Sequence, residues 1–148
     1  MSTSWAVEED PRKVANELIE ASRGRPGWLA AFTDELGAEA LVDQLRWVLG
    51  VWRVSASEAS RLFGVSRQAV SKWLVKGVPS ERIETVANLA AATDLLVRYL
   101  KPDRVPAAVR RNAGHLGDRS LLDLVATGDS GGVLEACRAM FDFSAAQA

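Results

Sequence analysis

The chain has 148 residues, of which 48% are hydrophobic and 25% are charged. This balance excludes a disordered chain and fits one globular domain, or two small domains that share a core. The formal net charge of −1 argues against a protein that binds nucleic acid through bulk positive charge.

Cysteine and histidine content limits the chemistry of the chain. Cys137 is the single cysteine and His115 the single histidine, so we expect neither an internal disulfide nor a zinc site within one monomer. Cys137 lies on an apolar helical face, which favours a role in core packing over one as a nucleophile. The sequence has no Gly-rich phosphate loop and no metal-ligand cluster, and we therefore expect no enzyme activity and no cofactor.

The location of the protein is predicted from what the sequence lacks. It contains no recognisable signal peptide and no apolar run long enough to span a membrane. We therefore expect a cytoplasmic protein with no membrane partner.

Residues 1–37 are predicted to form an N-terminal helical extension. Asp10 followed by Pro11 is an N-cap and first-turn pair, and the helix it begins should end near Arg23. A second helix is expected over residues 26–36. This extension could serve to cover the next domain, as a dimer contact or, through its acidic residues, as a partner surface.

Residues 38–100 are predicted to form the next domain. Gly37 should end the preceding helix, and a third helix should run over residues 38–49. Its inner side is expected to carry Leu41, Val42, Leu45, Val48 and Leu49. Two short helices cannot bury a core alone, so this third helix would complete the core around them.

The stretch Ser55–Pro79 predicts two short helices joined by a tight turn. Ser55 is a candidate N-cap with Glu58 three residues later, the spacing of a capping box, and the helix should end at Phe63. Gly64 stands where the chain needs a left-handed residue to leave that helix.

The second short helix has its own start and stop signals. Ser66 can cap a helix of about ten residues, and Gly77 and Pro79 then end it. Ala59 and Ser60 are small where the two helices would cross. An apolar seam is expected from Phe63, Val65, Val70 and Trp73.

The outer face of the second short helix is polar and is predicted to bind double-stranded DNA. The candidate DNA-binding residues are Ser66, Arg67, Gln68, Ser71, Lys72 and Lys76. Basic residues also cluster here, because between residues 50 and 76 only Glu58 opposes Arg53, Arg61, Arg67, Lys72 and Lys76. This local excess of positive charge is the footprint expected of a small DNA reader.

The order of small, glycine, aliphatic and capping residues resembles the phage-repressor and Cro-like (Xre-type) helix-turn-helix. The matching positions are Ser60, Gly64, Val65, Ser66 and Val70. The resemblance implies that the second helix enters the major groove and that two copies bind an inverted repeat.

A long helix is expected after the helix-turn-helix, from a cap at Ser80 to about Leu100. Residues 86–97 are apolar nearly all round, so this helix should be buried on more than one side. We expect it to close the domain and to contact either the C-terminal segment or a second subunit. The contact between subunits is predicted around residues 89–96 and in the C-terminal helices.

Residues 101–148 are predicted to form a small C-terminal domain of three short helices. The helices are expected over residues 106–112, 121–127 and 131–141. No strand pattern occurs anywhere, so the predicted fold class is all-α.

The last helix carries an amphipathic stripe. From this stripe we predict four partner-binding residues, Val133, Leu134, Met140 and Phe141. The alternative is that the stripe closes the core of its own chain. Residues 144–148 are expected to be loosely structured and free to reach into a partner's cleft.

The segment from His115 to Met140 resembles the C-terminal domain of the Xre/MbcA/ParS antitoxin family. The matching positions are Gly117, Ser120, Leu121 to Val125, Thr127, Gly128, Val133 and Leu134. Leu121 departs from this pattern because the family usually has proline there. The resemblance implies a head that binds the operator of its own operon and a tail that blocks a RES-type toxin, which consumes NAD.

Three functions are compatible with the sequence. The favoured one is a DNA-binding antitoxin that represses its own operon and neutralises a RES-type toxin. The second is a stand-alone transcriptional regulator without a toxin. The third is an interaction module or an enzyme in which the helix-turn-helix is only structural.

Overall fold

A computed structural model describes residues 8–142 of the chain. The described residues contain eight α-helices and no strand longer than an isolated bridge between Ala113 and Arg119, so the predicted all-α fold class is confirmed. The helices are α1 (Pro11–Ser22), α2 (Trp28–Val51), α3 (Ala56–Phe63), α4 (Arg67–Lys76), α5 (Ile83–Tyr99), α6 (Val105–Arg110), α7 (Leu121–Ala126) and α8 (Ser130–Met140).

The chain divides after Ala38 into two compact units. Unit 1 contains α1 and the beginning of α2, and none of its described residues is buried. Unit 2 contains one buried cluster, to which α2 from Leu45 onward and every later helix contribute. None of the helices in residues 8–142 is both long and apolar enough to cross a membrane.

Gly37 does not end a helix, and this prediction was wrong. The two helices predicted over residues 26–36 and 38–49 are a single helix, α2. Glycine costs a helix about 1 kcal/mol relative to alanine, but a break also needs a residue that satisfies the exposed backbone groups. Around Gly37 the sequence offers strong helix formers instead, in Leu36, Ala38, Glu39 and Ala40.

Ser80 does not cap the long helix, which also corrects the sequence analysis. Residues Ser80–Arg82 form a 3₁₀ turn, and α5 begins at Ile83 without a hydrogen bond from a capping side chain. The backbone N–H of Ile83 donates to the carbonyl of Ser80, so the turn itself satisfies this donor.

The core of unit 2 is built from helix pairs that join its earlier and later helices. α5 packs most extensively against α8, while α3 packs against α4 and α7. Trp52, directly after α2, is buried and donates its indole N–H to Thr93 Oγ1 on α5 at 2.9 Å. Thr93 Oγ1 in turn donates to the carbonyl of Leu89 at 2.6 Å. The end of α2 is therefore tied to the middle of α5 by a fully buried polar link.

The replacement Thr93→Val should destabilise the protein by about 1–3 kcal/mol, because it leaves the buried Trp52 N–H without an acceptor. The measurement is the free energy of unfolding in urea.

The control for this loss is the double variant Trp52→Phe/Thr93→Val, which removes both polar groups. We expect the double variant to lose clearly less stability than the sum of the two single variants, since no unpaired donor remains. Additive losses would show that the hydrogen bond between the two side chains contributes nothing.

Candidate nucleic-acid interface

Residues 55–77 form two short helices joined by a tight turn, as the sequence predicts. Ser55 Oγ accepts from the backbone N–H of Glu58 at 3.2 Å and begins α3. Gly64 ends α3 in the left-handed conformation, with φ 65°. Ser66 Oγ accepts from the N–H of Ala69 at 3.0 Å and begins α4, which Gly77 ends.

Only the first half of the predicted capping box at Ser55 forms. The Glu58 carboxylate does not reach back to the backbone N–H of Ser55. It pairs instead with Arg110 of α6, at 3.2 Å between Oε2 and Nη2. A charged partner stabilises a carboxylate more than a neutral backbone donor does, and that partner lies 52 residues away in the sequence.

Small and apolar residues pack α3 against α4. Ala59 and Ser60 are buried on α3, and Val70 and Trp73 are buried on the inner face of α4. The rings of Phe63 and Trp73 lie 5.8 Å apart with their planes tilted by 60°. This packing fixes which face of α4 turns away from the core.

The outward face of α4 carries all six predicted DNA-binding residues. Exposed there are Ser66, Arg67, Gln68, Ser71, Lys72 and Lys76. Gln68, Ser71 and Lys72 are spaced by three and four residues and share one side of the helix, while Arg67 and Lys76 lie on the two opposite edges of that side. The Ser66 cap leaves the first backbone N–H groups of α4 directed toward the same end as Arg67 and Gln68.

The cations of α4 have no acidic partner within residues 8–142. Arg67, Lys72 and Lys76 form neither an ion pair nor a side-chain hydrogen bond there. Elsewhere on the surface Arg98 pairs with Asp94 at 2.7 Å and Arg138 with Glu135 at 2.9 Å. Positive charge on α4 is therefore available to an anionic partner.

Two arginines from other elements hold α4 in place. Arg46 of α2 donates from Nη2 to the carbonyl of Leu74 at 2.9 Å, which satisfies one carbonyl in the last turn of α4. The guanidinium of Arg82 lies 5.5 Å from the ring centroid of Trp73, within the range of a cation–π contact. The exposed face is thus presented by a helix that is fixed at its C-terminal half.

Arg110 binds the helix-turn-helix from the C-terminal side of the chain. Its Nη1 donates to the carbonyl of Trp52 at 2.7 Å, and its Nη2 donates to the carbonyl of Arg53 at 3.0 Å as well as to Glu58. Arg53 is held in the left-handed region, with φ 52°. The sequence analysis missed this contact, and no local pattern around residue 110 signals it.

The four predicted partner-binding residues lie in different environments. Val133 is fully buried in the core, while Leu134 and Phe141 are partly buried. Met140 is 43% exposed. The ring of Phe141 stacks on Tyr99 of α5 with centroids 4.7 Å apart, and Tyr99 is itself 46% exposed. Residues 144–148 lie outside the described residues.

The apolar surface around residues 89–96, where a contact between subunits was predicted, is used within the chain. Leu89, Ala92 and Leu96 are buried in the core of unit 2, where α5 packs against α8. The N-terminus of α8 is tied to α5 by a hydrogen bond of 3.1 Å from Asn88 Nδ2 to Ser130 Oγ. The buried residues of this stretch are therefore not available for a contact with a second copy.

Cys137 is buried on α8, in the environment expected of a core residue. Burial raises the pKa of its thiol to about 11, because the charged thiolate would lose its hydration. The thiol therefore stays protonated at neutral pH. Among the described residues, no group of His, Cys, Asp and Glu could hold a metal ion.

Comparison with known proteins gives no match at any level. No family model matches the chain, and neither a curated protein nor a solved structure is significantly similar to it.

The replacement Arg110→Gln should destabilise unit 2 by about 1–2 kcal/mol, because the carbonyls of Trp52 and Arg53 lose a charged donor. The pair with Glu58 is partly exposed and contributes little to this figure. The measurement is again unfolding in urea.

Arg111→Gln is the matched control, since the neighbouring Arg111 is exposed and forms no side-chain hydrogen bond in the described part of the chain. Equal stability of both variants would show that Arg110 does not hold the turn after α2.

Proposed function

We propose that this protein is a DNA-binding antitoxin that represses its own operon and neutralises a RES-type toxin through its C-terminal helices. The observation that carries the DNA-binding part is the exposed surface of α4, which presents a capped helix N-terminus and three cations without an ion pair among the described residues. The toxin-binding part depends on the resemblance of residues 115–140 to antitoxin tails.

Four residues at or near the two ends of α4 have defined roles in this proposal. Arg67 and Gln68, in the first turn, approach base edges in the major groove, where arginine best matches guanine and glutamine best matches adenine. The N–H groups beside Ser66 bind a phosphate. Lys76, at the far end of α4, contacts phosphate and contributes affinity without sequence preference.

The same proposal requires two copies of the chain on DNA. One recognition helix reads only a few base pairs, and a two-fold arrangement doubles the contact. The operator is then an inverted repeat with half-sites about one helical turn, ~34 Å, apart, or a multiple of that distance.

The toxin-binding surface is assigned to the end of α8, where Met140 is exposed, and to the partly buried ring of Phe141 that stacks on the exposed Tyr99. Aromatic residues and methionine are enriched at protein interfaces. Val133 was expected to contribute, but its burial assigns it to the core. The proposed contact therefore depends on the end of α8 and on Tyr99, which the sequence analysis did not single out.

A stand-alone regulator without a toxin is the second candidate. The observation that favours it is the burial of Val133 and Cys137 in the core that α8 shares with α5. In this alternative the C-terminal helices complete the core of the DNA-binding unit and bind no partner.

The DNA-binding role predicts that Arg67→Ala weakens binding to the promoter of the protein's own operon by about 1–3 kcal/mol and relaxes one base position. Affinity is measured by fluorescence anisotropy on promoter and on random duplexes at fixed salt. Equal losses on both duplexes would contradict base reading by Arg67.

Two further variants separate base reading from general charge. Lys76→Ala should weaken binding to all sequences and reduce the salt dependence by about one charge. Arg98→Ala removes the same charge from α5, outside the recognition helix, and should leave affinity for promoter DNA unchanged.

The antitoxin role predicts that the full chain co-purifies with the product of the neighbouring reading frame and restores growth when that product arrests it. Met140→Asp should weaken this complex by about 2 kcal/mol or more, since it places a charge in an apolar contact.

Ile83→Asp is the matched control, because Ile83 is also a large apolar residue on the surface, 41% exposed, at the opposite end of α5 from Tyr99. Loss of the complex in both variants would indicate misfolding. If the wild-type chain neither binds nor neutralises the product of the neighbouring reading frame, the antitoxin role is contradicted and the stand-alone regulator is the remaining candidate.

A further inference from the structure

Unit 1 has an apolar side that its own described residues cover only in part. Asp10 Oδ1 accepts from the N–H of Arg12 at 2.9 Å and Pro11 follows, which begins α1 as the sequence predicts. A short turn with Gly27 at φ 84° then connects α1 to the start of α2. Connections of this length join helices that run antiparallel.

An open groove of about 570 Å³ lies between the two helical segments of unit 1. Its lining is almost wholly apolar and includes Val14, Leu18, Ile19, Leu29, Phe32 and Leu36. The rings of Trp28 and Phe32 stack with centroids 5.2 Å apart. These residues recur with helical spacing, so each segment presents one apolar stripe to the groove.

The apolar side of unit 1 is poorly covered while this groove is open. α1 has 12 residues, and helices shorter than about 12–15 residues are marginal in water, so α1 depends on packing of its apolar face. No described residue of unit 1 is buried. The stripe from residue 14 to residue 36 therefore needs a second apolar surface of similar length.

We infer that this surface is unit 1 of a second copy, and that two copies pair through their grooves as a four-helix bundle. A self-complementary two-fold contact brings the same stripe to both sides, so the two surfaces match in length and chemistry. This pairing needs no toxin and no DNA, so it can be tested independently of the proposed function.

The charges of unit 1 select an antiparallel arrangement of the two copies. The turn between α1 and α2 carries Arg23 and Arg25, whereas the opposite end carries Glu8, Glu9 and Asp10 against Arg12 and Lys13. Lys13 pairs with Glu9 at 2.9 Å and Arg23 pairs with Glu20 at 2.8 Å. Arg25 and Glu8 are left without an ion-pair partner among the described residues. An antiparallel pair places the basic turn of one copy beside the acidic end of the other, and a parallel pair would bring like charges together.

The first test is the oligomeric state of the full chain. Sedimentation should show a dimer at micromolar concentration, and Phe32→Glu should raise the dissociation constant of the dimer by about a hundredfold or more, because it buries an unpaired carboxylate. Ala31→Glu is the control: Ala31 is exposed on the same helix, does not line the groove, and its replacement should leave the dimer intact.

The second test uses surface charges, which do not threaten folding. Arg25→Glu and Glu8→Lys should each weaken the dimer several-fold at low salt, and the double variant should restore it, because each end then meets an opposite charge again. Strengthening of the dimer by Arg25→Glu would overturn the antiparallel arrangement.

The remaining outcomes also decide the question. If the wild-type protein is still a monomer at about 0.1 mM, the pairing is overturned. The groove would then be covered by its own chain or by another protein. A dimer that Phe32→Glu leaves intact would place the contact elsewhere. Arg67→Ala should lose promoter binding and keep the dimer, so that a failure of DNA binding and a failure of pairing are seen separately.

Discussion

The interactions of Trp52 are the constraint on which the arrangement of unit 2 depends. Its indole N–H is satisfied by Thr93 on α5, and its carbonyl is bound by Arg110 on α6. A buried indole without an acceptor is costly, so α5 must lie where Thr93 can reach it. Because α5 also packs against α8, Trp52 connects the end of α2 with the helices that form the C-terminal part of the core.

Local signals in the sequence were sufficient to predict the helix-turn-helix. Ser55, Gly64 and Ser66 each act on backbone groups within three or four residues, so the bounds of α3 and α4 could be derived without tertiary contacts. The exposed side of α4 followed from its apolar residues alone. The prediction at Gly37 failed because a glycine without a capping partner costs a helix little and does not break it.

Long-range contacts could not be predicted, and they decide what each apolar surface does. Periodicity identified α5 and α8 as apolar helices, but it could not tell whether they pack on each other or on a second subunit. In the structure the two helices pack on each other, with Leu89, Leu96 and Val133 buried in one core. The ion pair of Glu58 with Arg110 could not be predicted either, because the sequence suggested the backbone N–H of Ser55 as the partner of Glu58.

The contact of Arg110 with the turn after α2 has a consequence for how such chains can be recombined. The arginine belongs to α6, but the carbonyls that it binds belong to the turn between α2 and α3. A chimera that joins the residues before α6 to a foreign C-terminal segment would leave the left-handed Arg53 and its neighbour without their donor unless the new segment supplies a cation at the same place. The two segments are therefore expected to be inherited together, and an exchange of C-terminal segments should keep α6 with the residues that precede it.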